Sequence, residues 1–144
     1  TKTMELQAIF NKAHNHFKTM GAPSMAIVNG GCSYRGDGGA MCAVGLFITD
    51  EHYSDTLEGN GIQYNNGSGL DSNVQKAVAY SFKQHRLSDE QLSLLSALQD
   101  VHDNHSEDKS SDTFDNDPTA WYQLCEWSLR SVATKFGLKF NQPA

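Results

Sequence analysis

Cys32-Ser33-Tyr34-Arg35-Gly36-Asp37-Gly38-Gly39-Ala40-Met41-Cys42-Ala43-Val44 decides the fold class, because most of what surrounds it is patterned for helix. Two short runs flank Gly36-Asp37-Gly38-Gly39. Gly and Asp accept the positive φ of tight turns, so the stretch reads as a β-hairpin. Its register sets the fate of two thiols. With the odd-numbered loop Gly36-Asp37-Gly38, Cys32 opposes Cys42; with an even-numbered loop Cys32 opposes Ala43 and the sulfurs point to different faces. The odd register is preferred.

Outward from the hairpin the period changes from two to 3.6 residues. Upstream, Leu6, Ile9, Phe10, Ala13, Phe17 and Met20 make one stripe, giving a helix over residues 3–20 stopped by Gly21 and Pro23. His14 and His16 are expected on its exposed side and, two residues apart, on different faces. Downstream, Thr49 or Asp50 is expected to cap a short helix through about Glu58. A Gly/Asn-rich loop over residues 59–70 follows, long enough to be a candidate functional loop. Leu70, Val74, Ala77, Val78 and Phe82 outline the next helix, capped by Asp71 or Ser72. Ser88-Asp89-Glu90-Gln91 is a capping box. The helix it opens turns Leu92, Leu95, Leu98, Val101 and His102 inward. Residues 106–117 read as a polar acidic loop. Asp117-Pro118 then starts a last helix that buries Trp121, Leu124, Cys125, Ser128, Leu129 and Val132, with Gly137-Leu138 as its left-handed cap. The expected fold is therefore α+β and mainly helical: about four main helices with a small Gly-rich hairpin packed on one side, as a single domain over residues 1–144.

Composition narrows the function classes. The 144 residues are 38% hydrophobic, material for one core. Seventeen acidic against eleven scattered basic residues give a net charge of −6, which disfavours nucleic-acid binding by phosphate neutralisation. No apolar run reaches membrane-spanning length, and Thr1-Lys2-Thr3-Met4-Glu5 lacks the layout of a signal peptide, so a cytoplasmic protein is expected. Three cysteines leave at least one thiol unpaired within the chain. Asn66-Gly-Ser, Asn104-His-Ser and Arg35-Gly-Asp match short glycosylation and adhesion patterns and are read as chance matches. The acidic loop lacks the spacing of a calcium loop, and twelve residues are too few for a nucleic-acid mimic.

Two constellations carry chemistry. Cys32 with Cys42 is one; two small side chains packed under a hairpin is the preferred reading, because the spacing lacks a zinc knuckle's Cys-x₂₋₄-Cys. The other is His102, which falls on an apolar helix face and needs a partner or a metal there. Asp100 and Asp103 flank it and His105 follows three residues on; a core-edge imidazole on a backbone carbonyl is preferred. Joined, Cys32, Cys42 and His102 are candidate zinc ligands. Alternatively Cys42 or Cys32 is a candidate nucleophile, with His102 as base and Asp103 or Asp100 as orienter. Trp127 lies off the last helix's apolar stripe and is a candidate binding residue, with Tyr64 and Arg35.

Cys32-x-Tyr-Arg-Gly, Cys42-Ala-Val-Gly, Ile48-Thr-Asp-Glu-x-Tyr53 and Leu98-Gln-x-x-His-Asp103 together resemble a group of short bacteriophage and bacterial proteins of no known activity. The resemblance spans roughly residues 3 to 138. It implies a phage-encoded protein of the host cytoplasm, transfers no catalytic residue, and places the two cysteine segments and the His-Asp segment in one structural unit. The function expected is that of an accessory factor binding a host or partner protein, or pairing as a homodimer. The alternative is a small hydrolase or metal-dependent enzyme using the Cys/His/Asp residues.

Overall fold

The computed structural model describes residues 4–20, 34, 41–58, 62, 72–104 and 120–140. Four helices dominate: α1 Leu6–Met20, α2 Asn73–Ser81, α3 Asp89–Asn104 and α4 Ala120–Lys135. Single 3-10 turns lie at Gly45–Phe47 and Asp55–Leu57. No helix among the described residues is long and apolar enough to cross a membrane.

The core follows from the stripes. α1, α3 and α4 pack on one another pairwise. They bury Ile9, Phe10, Ala13 and Phe17 of α1 against Leu94, Leu95, Leu98 and Val101 of α3 and Trp121, Cys125 and Leu129 of α4. Phe17 stacks on Trp121 with ring centroids 5.2 Å apart. α2 adds Val74, Ala77 and Val78. Below it Phe47 meets Phe82 edge-on at 5.7 Å.

Ends are set by side chains. Ser72 Oγ accepts from Gln75 N while Gln75 Oε1 accepts from Ser72 N, a capping box that opens α2. Ser88 and Gln91 do the same for α3, at 3.1 and 2.9 Å. α4 closes on Gly137 at φ 67°, with Leu138 N donating to Ala133 O and Gly137 N to Thr134 O. α2 closes the same way on Lys83, a non-glycine residue at φ 61°, with Gln84 N donating to Ala79 O.

Four expectations are corrected. Residues 50–58 do not form a continuous helix: Thr49 O accepts from His52 and Tyr53, and Ser54 caps a separate 3-10 turn over Asp55–Leu57. His14 is buried at 5% exposure, because it lies four residues after Phe10 and three before Phe17. Leu124 is 42% exposed, since it sits at the edge of the Trp121–Cys125–Leu129 face. Ala43 and Val44 form a turn, so the chain leaves extended geometry after Cys42.

Of the expected hairpin, Met41 makes an isolated β-bridge, and no strand occurs among the described residues. Cys32, Arg35 and the Gly36–Gly39 turn lie outside the described residues, and so does the register that would pair Cys32 with Cys42. Tyr64, His105, the 59–61 and 63–70 parts of the Gly/Asn-rich loop and the acidic residues 106–117 lie outside them too.

Candidate functional site

Four separate sequence segments meet around Cys42. At Gly45 the backbone comes against that of Tyr34: a Cβ built there would lie 2.0 Å from the Tyr34 carbonyl oxygen. Only glycine permits that approach. Tyr34 N donates to Glu58 Oε1 at 2.8 Å, and Tyr53 Oη donates to the other oxygen of the same carboxylate at 2.6 Å. Val44 N donates to Gln99 Oε1 at 3.1 Å, joining the turn to α3. Gln99 Nε2 donates to Asp103 Oδ1 at 2.8 Å, one helical turn on.

The same Asp103 oxygen lies 3.1 Å from His102 Nδ1. Neighbouring helix residues generally diverge, yet the short carboxylate reaches back to the ring beside it. The carboxylate can only accept, so the imidazole donates to it from Nδ1. His102 is fully enclosed, edge-on to Trp121 at 5.6 Å, whereas the Asp103 side chain is 44% exposed. From α1, His16 Nε2 bonds the Met41 carbonyl oxygen. Burial, set against that bond, holds His16 below its ordinary pKa, and His102 opposes its protonation further.

Cys42 itself is 1% exposed and a free thiol. Its sulfur accepts from Gly45 N at 3.3 Å, inside the turn it begins. Burial pushes the thiol up to about 12, with the Asp103 and Glu58 carboxylates adding to the shift. A nucleophilic cysteine needs the opposite environment, electropositive and accessible. The geometry therefore favours packing and turn-making for Cys42 and weighs against attack on a substrate. For a metal, no group of three His, Cys, Asp or Glu side chains among the described residues is arranged to hold one. Cys32, the third ligand expected, lies outside them.

A different surface is open. Trp127 is 78% exposed on α4, six residues after the buried Trp121 and turned away from the core. Leu124, one turn before it on the same side, is 42% exposed. Between Trp127, Arg130, Ser131, Thr134 and Lys135 runs a shallow groove of about 430 Å³. Ser131 Oγ donates back to Trp127 O at 3.2 Å, which turns its proton away from the groove.

Several contributors had no individual signal in sequence. Glu58 and Gln99 act across 24 and 55 residues of chain. The Gln99–Asp103 spacing of four was the one readable hint. His14 was missed as a core residue because imidazole counts as polar; Tyr122 Oη, 2.6 Å from its Nε2, makes the burial tolerable.

Comparison with family models, curated proteins and solved structures found no match.

Proposed function

We propose that this chain is a small accessory protein that acts by binding a partner protein through the outward face of α4. The observation that carries the reading is Trp127 at 78% exposure on a regular helix, with Leu124 beside it. A large aromatic side chain left in water on a rigid element is the type of residue that anchors an interface, because it contributes apolar area at small entropic cost. The resemblance to short phage and bacterial proteins supports the host cytoplasm as its place and a phage as its source.

The Cys42, Gln99, His102 and Asp103 cluster then serves as a brace. It ties the turn after Met41 to α3, and its thiol and imidazole are enclosed, which weighs against the hydrolase reading. A small hairpin that ends at Cys42 remains part of this proposal. Its support is the bridge at Met41 and the apposition of Tyr34 with Gly45.

Affinity capture from bacterial lysate tests the function. Proteins retained by the native chain and lost with a folded Trp127→Ala variant support it; identical retention by both chains sinks it.

A further inference from the structure

Charge on the α4 face is inverted relative to the molecule. The whole chain carries seventeen acidic and eleven basic residues. From Trp127 to Phe140 there are Arg130, Lys135 and Lys139 and no carboxylate. Glu126 reaches Arg130 at 3.5 Å from the preceding turn. The Arg130 guanidinium lies 4.2 Å over the Phe140 ring, which holds it in place beside the groove. Lys135, which also lines the groove, has its ammonium 5.7 Å over the Phe136 ring and makes no ion pair among the described residues. An exposed indole thus shares one groove with two cations and the small side chains of Ser131 and Thr134.

Resting on the docking reading above, we propose that the groove takes an acidic segment of the partner protein: an apolar side chain laid against Trp127, with Asp or Glu on either side facing Arg130 and Lys135. Charge complementarity selects this occupant. A second copy of the chain would bring the same two cations against themselves, on a molecule already at −6. A nucleic acid would need a longer run of phosphate contacts than three cations provide.

The test is a titration of the ¹⁵N-labelled full chain with a synthetic peptide of Asp and Glu around a central Leu-Phe pair. Its counterpart with Lys at every acidic position and an oligothymidylate are the control probes. The acidic peptide shifts the Trp127 indole resonance and the Ser131 and Thr134 amides, while the buried Trp121 indole stays in place. Affinity falls as salt is added, and by about tenfold in the Arg130→Ala/Lys135→Ala double variant, whose sites are at the surface. An unmoved Trp127 resonance overturns the proposal, as does equal binding of the lysine peptide or the oligothymidylate. Concentration-dependent shifts without any probe do so too, because they mark self-association. In lysate capture the two levels separate. A partner lost with Trp127→Ala but kept by the double variant leaves the docking reading and removes the acidic class; a partner kept by both removes the docking reading.

Discussion

Gly45 and Gly137 carry no side chain for different reasons, and substitution separates them. At Gly45 a methyl group would meet the Tyr34 carbonyl oxygen at 2.0 Å, and backbone atoms cannot rotate aside. Gly45→Ala is expected to cost about 3 kcal/mol or more, since the turn and its bonds to Cys42 and Gln99 must shift. At Gly137 a Cβ meets nothing within 4 Å, so only the left-handed φ of 67° is penalised, by about 1 kcal/mol. Thermal melts of the two alanine variants should fall in that order; equal losses would remove the close-approach argument. Lys83 is the converse case. It holds φ 61° at the end of α2, a post that glycine fills without strain. Lys83→Gly should stabilise by roughly 0.5–1 kcal/mol, less the extra freedom glycine gains in the unfolded chain. A lower melting point would mean that the lysine side chain contributes more than its backbone costs.

At the scale of elements, the helices were readable because each had a periodic apolar face and chemical ends. Ser88 and Gln91 marked the start of α3, and Gly137 the end of α4, before any tertiary contact was considered. The segment over residues 50–58 was not readable. It has a capping serine and a turn, yet too few apolar positions to show whether one helix or two turns would form. The second duty of Gln91 was equally hidden. Beyond capping, its amide pairs reciprocally with that of Gln84 at 2.8 and 2.9 Å and donates to Met4 O at 2.9 Å. Met4 N in turn donates to Gln84 Oε1. One buried side chain thereby fastens the start of α1 to the α2–α3 junction. Gln91→Ala is expected to cost about 2–3 kcal/mol, more than loss of a cap alone, because Gln84 and Met4 lose partners together. Ser88→Ala removes only the cap and should cost about 1 kcal/mol. Urea unfolding of both variants checks the difference, and matching midpoints would show that the amide pair adds nothing.

Across the whole molecule, the convergence of the Tyr34, Cys42–Gly45, Tyr53–Glu58 and Gln99–Asp103 segments was legible only as a grouping of motifs. Their bonds join groups far apart in sequence, so no local pattern could supply the geometry. Two imidazoles of α1, His14 buried and His16 half-buried, give stability a pH dependence of definite sign. His14 is sandwiched by Phe140 at 4.4 Å and Tyr122 at 5.7 Å, with Lys18, Arg130 and Glu126 as its charged neighbours. Burial first, then Lys18, lowers its pKa from the ordinary 6.5; His16 is lowered chiefly by burial. A lowered folded-state pKa means that the unfolded chain binds more protons. The stabilisation from the neutral rings is therefore present in full above 6.5 and is lost as pH falls through that value toward the folded pKa of each ring. Each proton taken up on unfolding adds at most about 1.4 kcal/mol per pH unit to the slope. The net charge of −6 works the other way, since acid reduces self-repulsion. The slope is accordingly best read as a difference between chains. Unfolding free energy measured in urea from neutral to mildly acidic pH should fall more steeply for the native chain than for His14→Gln/His16→Gln, whose amides keep hydrogen-bonding capacity without titrating. Parallel slopes would show that neither ring is held neutral by the fold, and the burial of His14 against Phe140 and Tyr122 would then carry no proton linkage.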